Sequence, residues 1–365
     1  MESPETKDSG ERGIVERIRS GEEEIRIEAA REIRRLTKTS SRNRRKLSEA
    51  VEPLVQMLHS GSVDASEAAI LALLNLAVKD ERNKIRIVDA GALEPLFGFL
   101  QSINLNIQEY ATATLLTLSA SSSNKATIGT SGAIPLLMKI LADGNPQAKI
   151  DAVMALYNLS TITDNLKVIL SLQPIPLLVD ILKDCNKSSK TAEKCCALLE
   201  SLMGFEEART ALTSEDGGVL TVVEVLEEGS QQGREHAVGT LLSMCEVDRC
   251  RYREVILNEG VIPGLLELTV HGTPKSRLKA HALLELLRNS PYPRSQFHAD
   301  TLENIVTSIV SHIDGEDCAG KAKKMLAEMV QVSMEQSWRH LQQRAFVCTP
   351  TKMPVGNCPS EVSSK

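Results

Sequence analysis

The sequence predicts an all-α fold: a right-handed α-solenoid in which about six copies of one three-helix unit stack into a superhelix between N- and C-terminal capping helices. Three observations carry this. A helical apolar pattern returns every 40 to 43 residues, turn residues recur at matching places in each copy, and no stretch of the 365 residues alternates as a strand does.

The clearest copy runs from Asn124 to Ser160. Lys125 to Ile128 begin a short first helix, which Gly132 ends by supplying a left-handed turn conformation. Pro135 opens the second helix, where a missing N–H costs little, and Leu136, Leu137, Ile140 and Leu141 give that helix a wide apolar stripe. Asn145 caps the third helix, Pro146 takes its first position, and Ala152, Ala155, Leu156 and Leu159 recur at i, i+3, i+4, i+7 as its buried face. A unit this thin closes a core only by stacking on others.

The same third-helix face returns as Ala69, Ala72, Leu73, Leu76; Ala111, Thr114, Leu115, Leu118; Cys195, Leu198, Leu199, Leu202; Ala237, Thr240, Leu241, Met244; and Ala280, Leu283, Leu284, Leu287. Weaker versions flank these at Ala29, Ile33, Leu36 and at Ala322, Met325, Leu326, Met329. Their final positions, 36, 76, 118, 159, 202, 244, 287 and 329, set the period. A helical repeat of that length is the armadillo/HEAT signature. The expected organisation is a disordered N-terminus over 1–12, a solenoid over 13–348 (N-terminal cap 13–40, six repeats 43–290, C-terminal cap 297–348) and a disordered tail over 349–365.

Composition agrees. Aromatics are only 3% while aliphatics are abundant, which suits thin helical layers, and a net charge of −6 gives no reason to expect nucleic acid or an anionic membrane as partner. The polar start MESPETKDSGERG is neither a signal nor a transit peptide, and no apolar run approaches the ~18 residues of a spanning helix. The expected location is cytoplasmic, nuclear or both. Cys195, Cys196 and Cys245 fall within third helices as structural thiols, and Cys245 with Cys250 lacks the second pair that a zinc site requires. No metal or cofactor is expected.

In chain order, Ile14, Val15 and Ile18 form a short cap helix, and Ser20 with Glu23 reads as a capping box for the next. That helix carries Arg31, Arg34 and Arg35, and the linker beyond adds Lys38, Arg42, Arg44, Arg45 and Lys46. This basic cluster is either a solvated cap that keeps the open solenoid end soluble or a nuclear-localisation or anionic-partner patch. The repeats starting at Asn43 and Asn83 follow the template. The one starting at Asn165 has Gln173 where the turn glycine belongs, and the one from Ala208 is the most degraded. From Tyr252 the pattern sharpens again. Met325, Met329, Val332, Trp338 and Leu341 read as a terminal lid.

The run Asn124-Lys125, then Gly132-Ala133-Ile134-Pro135-Leu136-Leu137, then Asn158-Leu159-Ser160 resembles the armadillo repeat. The whole most resembles the armadillo domains of plant U-box ubiquitin ligases. That resemblance covers roughly residues 13 to 348 and implies an interaction module with a concave groove lined by the third helices. No segment that could form a U-box precedes Gly13 or follows Phe346, so this chain is expected to recruit no ubiquitin-conjugating enzyme by itself. Import adaptors and related armadillo proteins hold extended peptides with a third-helix asparagine ladder, the adaptors adding a tryptophan one turn earlier. Here the ladder reads Asn75, Thr117, Asn158, Ser201, Ser243, Leu286, and the tryptophan row reads Leu71, Ala113, Met154, Ala197, Gly239, Ala282.

No catalytic constellation emerges, since the seven histidines are scattered singly. The expected function is a non-enzymatic scaffold that binds proteins in its groove. The alternatives are a substrate-recognition or competitor role in the U-box pathway, then nuclear import. Steps of 4, 7 and 11 residues back from the ladder stay on one helical face. They collect Asp64 and Asn75, then Asn106, Tyr110 and Thr117, then Gln147, Asp151 and Asn158. Further on they collect Lys190 and Lys194, then Gln232 and His236, then Lys275 and Lys279. The groove is therefore expected to be mixed or acidic first and basic later. Its expected binding residues are Arg31, Arg35, Asn75, Tyr110, Asn158, Lys190, Lys194, His236, Lys275 and Lys279. Expected partners are proteins with acidic or phosphorylated segments, such as kinases or ligase components, and not specific nucleic acid.

Overall fold

The computed structural model describes residues 13–288, and among them the regular structure is entirely helical. A short helix α1 over 13–18 precedes α2 (Glu23–Thr37). Six three-helix units follow. The first is α3 (Ser41–Lys46), α4 (Val51–Met57) and α5 (Val63–Ala77); the second is α6 (Glu81–Asp89), α7 (Leu93–Leu100) and α8 (Leu105–Ser119). The third is α9 (Lys125–Thr130), α10 (Ala133–Asp143) and α11 (Pro146–Ser160); the fourth is α12 (Thr163–Ser171), α13 (Ile175–Asp184) and α14 (Lys190–Leu202). The fifth is α15 (Glu206–Ser214), α16 (Gly218–Glu228) and α17 (Gln231–Val247); the sixth is α18 (Arg249–Asn258), α19 (Ile262–His271) and α20 (Pro274–Arg288). The sequence expectations for residues 1–12, for the lid around Met325 and Trp338, and for the tail fall outside the described residues.

Each third helix starts on a side-chain cap. Ser62, Asn104, Asn145, Ser189 and Ser230 accept bonds from N–H groups two or three residues on, and Thr273 Oγ1 accepts from Ser276 N at 3.1 Å. Such caps are worth about 1 kcal/mol each. In repeats two to six the turn from first to second helix takes a positive φ. Gly91, Gly132, Gly217 and Gly260 supply it at 88°, 92°, 66° and 77°, and in the fourth repeat Gln173 is forced to 53°. Two local expectations shift. Glu22, in extended backbone, and not Ser20, sits at the N-cap of α2, and Ser20 Oγ accepts from Glu22 N ahead of the helix. Pro135 is the third residue of α10 rather than its opener, still within the first turn whose N–H groups lack helical partners.

The third helices stack side by side, α2 on α5 and so on through α8, α11, α14, α17 and α20. They approach closely because Ala69, Ala111, Ala152, Cys195, Ala237 and Ala280 are all fully buried at 0% exposure. One apolar core runs continuously through the stack. The buried thiols of Cys195 and Cys196 are pushed up by desolvation, so they pack as small apolar groups.

The recurring asparagine of the first helices ties repeats together. Asn83 Nδ2 donates to Arg44 O and Leu76 O, both at 3.0 Å. Asn124 Nδ2 donates to Lys84 O at 3.0 Å and Leu118 O at 3.2 Å, and Asn165 Nδ2 to Lys125 O at 3.0 Å and Leu159 O at 3.2 Å. Each amide thus serves a carbonyl of its own junction and one of the preceding first helix. Past Asn165 the asparagine is gone. Arg209 Nη1 donates to Met203 O at 2.6 Å at the junction with the fourth repeat, while Arg253 Nε donates to Leu287 O at 2.8 Å within the sixth repeat, as Arg44 Nε does to Asn75 O within the first. Among the described residues no single helix is long and apolar enough to cross a membrane. Only α12 and α13 together would reach that length, across an 83° bend.

Candidate protein-binding face

The sides of the third helices that turn away from the core form one continuous face, and its character changes along the stack. At the N-terminal end Arg31 and Arg35 lie exposed on α2. Arg35 Nη2 is 4.0 Å from Glu32 Oε1, a carboxylate that also pairs with Arg17. Of the linker's basic cluster, Arg44 is buried and structural, with Nε donating to Asn75 O at 3.0 Å and Nη2 to Lys38 O at 2.9 Å. It is unavailable to a partner.

The two ladder asparagines are already engaged. Asn75 Nδ2 donates to Arg34 O at 2.9 Å, and Asn158 Nδ2 to Ser119 Oγ at 3.2 Å and to Leu116 O at 3.5 Å. Both amides therefore brace the preceding repeat, leaving their side-chain oxygens for a partner. Tyr110 is half-buried against the core on α8. Next to it in the same row, Asp151 is only 8% exposed. Gln147 Nε2 donates to Asp151 Oδ1 at 3.1 Å. Burial, helped by the charge of Glu109, raises this carboxyl to about 6 against that hydrogen bond.

In repeats four to six, side chains gather around two glutamates that the helical-face count did not collect. Glu193 is buried at 2% exposure and holds Lys190 Nζ at 2.9 Å from both its oxygens and Lys194 Nζ at 3.3 Å. Lys190 also reaches Gln232 Oε1 at 3.4 Å. Lys194 Nζ lies 4.5 Å from the centroid of the Tyr157 ring, a cation–π contact. Glu200 accepts from His236 Nδ1 at 2.7 Å and from Lys279 Nζ at 2.6 Å, and Lys279 donates as well to Glu235 O at 3.2 Å. The His236 ring meets the edge of Tyr157, with centroids 6.5 Å apart. Lys275 stands apart, exposed in the first turn of α20.

The structure therefore brings together Lys190, Lys194, His236 and Lys279, and leaves Arg31, Arg35, Asn75 and Tyr110 outside that group. The expected surplus of positive charge in the second half is largely neutralised from within. Burial pushes both Glu193 and Glu200 up, but hydrogen bonds and charge from their lysine and histidine partners outweigh it and hold both carboxyls below the usual range. Tyr157 and Glu200 each sit one residue before the ladder position, a row that reads Leu74, Leu116, Tyr157, Glu200, Leu242, Glu285. The break from leucine to polar residues in that row was the signal available in the sequence.

Among solved structures this stacking is shared with a crystal structure of an engineered protein, at a TM-score of 0.68 and 21% identity over 88% of this chain and 77% of that one. It is shared also with a designed armadillo repeat protein, at a TM-score of 0.50 and 19% identity over 75% of this chain and 98% of that one. The fold class is an armadillo-repeat α-solenoid.

Residues 12–308 match the family model described as the plant U-box protein ARM repeat region, and the chain belongs to that family. It is 30% identical over 276 residues to U-box domain-containing protein 45 of Arabidopsis thaliana, covering 74% of this chain and 35% of that protein. U-box domain-containing protein 1 of Medicago truncatula is 35% identical over 277 residues, covering 75% of this chain and 40% of its own length. U-box domain-containing protein 9 of Arabidopsis thaliana is 33% identical over 270 residues, 72% of this chain and 58% of its own. The chain thus spans about a third to three fifths of the length of these three relatives.

Proposed function

We propose that this chain is a non-enzymatic scaffold that binds partner proteins along its third-helix face, in the cytoplasm, the nucleus or both. The observation that carries this is the polar and aromatic network over repeats three to six. Tyr157, Lys190, Lys194, Glu200, His236 and Lys279 are partly or fully exposed yet held in place by one another and by Glu193. Pre-ordered aromatic and charged groups on a surface lower the entropy cost of binding. The partner segment is extended and acidic or phosphorylated. Its backbone meets the free amide oxygens of Asn75 and Asn158, and its charge lies toward Lys190 and Lys275. Kinases and ligase components are the partner classes proposed.

A second reading is substrate recognition, or competition for a substrate, in the U-box ligase pathway; its support is that the relatives are named U-box domain-containing proteins. An import-adaptor role needs tryptophans where this chain has Leu71, Ala113, Met154, Ala197, Gly239 and Ala282. Affinity capture with the 365-residue chain, followed by mass spectrometry and a ubiquitination assay on the captured material, tests these readings. The scaffold reading expects proteins whose capture weakens with salt and with Lys275→Glu. Absence of ligase activity and of any ligase component would remove the second reading.

A further inference from the structure

Glu200 joins three repeats. Its carboxylate is bonded by His236 from the next repeat and by Lys279 from the one after, 79 residues along the chain. The bridge to Lys279 therefore crosses directly over α17. It can do so because residue 239 is glycine: a Cβ there would lie 1.9 Å from Glu200 Oε1 and 2.7 Å from Lys279 Nζ. A glycine inside a helix is less favourable than alanine, and what α17 gains by it is the passage. Lys194, seated on the Tyr157 ring, and His236, against the edge of the same ring, flank this crossing. Lys194, His236 and Lys279 all stand seven residues before the ladder position, so three consecutive repeats present one row of nitrogen donors to a single carboxylate region.

We propose that this row is a site for a carboxylate side chain of an acidic partner segment, and that Glu200 is its internal occupant, which the partner's carboxylate replaces. The proposal rests on the protein-binding reading given above and names the chemistry of its central contact. Replacement is balanced: His236 and Lys279 exchange one carboxylate for another, and Glu200, whose side chain is already 23% exposed, turns out to water. The present occupant sets the chemistry: His236 and Lys279 already hold one carboxylate at 2.7 and 2.6 Å, and a partner's carboxylate takes over the same two bonds. An internal competitor also raises selectivity, since an isolated carboxylate gains little by displacing Glu200, whereas a segment contacting several repeats gains the rest of its contacts.

Fluorescence anisotropy of a labelled octaglutamate peptide tests this on the 365-residue chain. The parent protein should bind it weakly. Glu200→Gln should bind it about tenfold more tightly, and Lys279→Gln added to that variant should cancel the gain. Gly239→Ala, which closes the passage, should raise affinity in the same direction and carries the test if Glu200→Gln does not fold. A folded Glu200→Gln with unchanged affinity, or a gain that survives Lys279→Gln, overturns the proposal. A larger gain for a phosphoserine peptide of otherwise neutral sequence overturns the carboxylate assignment. Partner capture that depends on Lys275 but is indifferent to Glu200 overturns the internal-occupant idea while supporting the scaffold reading.

Discussion

The asparagine junctions between helices and the charged cluster on the third helices of repeats four to six hold the stack by different chemistry. Asn83, Asn124 and Asn165 tie successive first helices amide to carbonyl, and Asn75 and Asn158 do the same between third helices. In repeats four to six Glu193 and Glu200 gather lysines and a histidine on the third-helix face. Neutral amides bonded to backbone are indifferent to salt and to pH. Half-exposed ion pairs can be exchanged for a partner's charges, because water and mobile ions already compete for them. On the proposed reading the asparagine junctions act as frame, and the charged cluster is where a partner's charge is read.

The largest effect that would break this contrast is at Asn83. Asn83→Ala leaves the carbonyls of Arg44 and Leu76 without their donor in a junction only 1% exposed, and a loss of about 2–3 kcal/mol is expected in urea unfolding. If Glu200→Gln costs as much, the junctions and the charged cluster are not distinct.

Two carboxyls should move in opposite directions. Asp151, raised to about 6 in the folded chain, lies above its unfolded value of about 4, so its ionised form opposes folding above pH 6 and the penalty fades as pH falls toward 4. Asp151→Asn should therefore stabilise by about 1–2 kcal/mol at pH 7.5 and by nothing measurable at pH 4. Glu193 is held low by Lys190 and Lys194, so its contribution is full above its unfolded value of about 4.3 and is lost as pH falls through the folded one. Glu193→Gln should cost about 1 kcal/mol at pH 7, with the difference closing in acid. Thermal melts across pH check both signs.

The smallest expected effect is at Gln173. Relieving its positive φ of 53° with Gln173→Gly should stabilise by somewhat under about 1 kcal/mol, the strain released being partly offset by glycine's entropy. A loss of stability would mean that the Gln173 side chain contributes more than its backbone costs.

The fold was legible because it depends on quantities that a sequence carries directly. The period fixed by Leu76, Leu118, Leu159 and Leu202, and the cap at Asn145, are strictly repeated or local. The charged face was legible in part. Lys190, Lys194, His236 and Lys279 lie on one line along their helices, and stepping in turns of the helix finds them. Tyr157 and Glu200 are rotated about 100° from that line, toward the next repeat. Their contacts depend on how closely neighbouring third helices approach, which no single helix encodes. The glycine at 239 had no visible purpose until the Glu200 bridge crossed it. The same limit explains Asn75 and Asn158: their row marked them as ladder residues, but only the stacking reveals that their donors go to Arg34 and Ser119 of the preceding repeat.

The central claim is that partners bind the third-helix face and not the opposite side of the solenoid. It is tested most directly by comparing proteins captured by the parent chain, by a Tyr110→Ala/Lys275→Glu variant on third helices, and by a Lys139→Glu variant on the exposed side of α10. The account predicts at least a tenfold loss of capture for the first variant and none for the second. Undiminished capture by the first variant, with loss in the second, would contradict it.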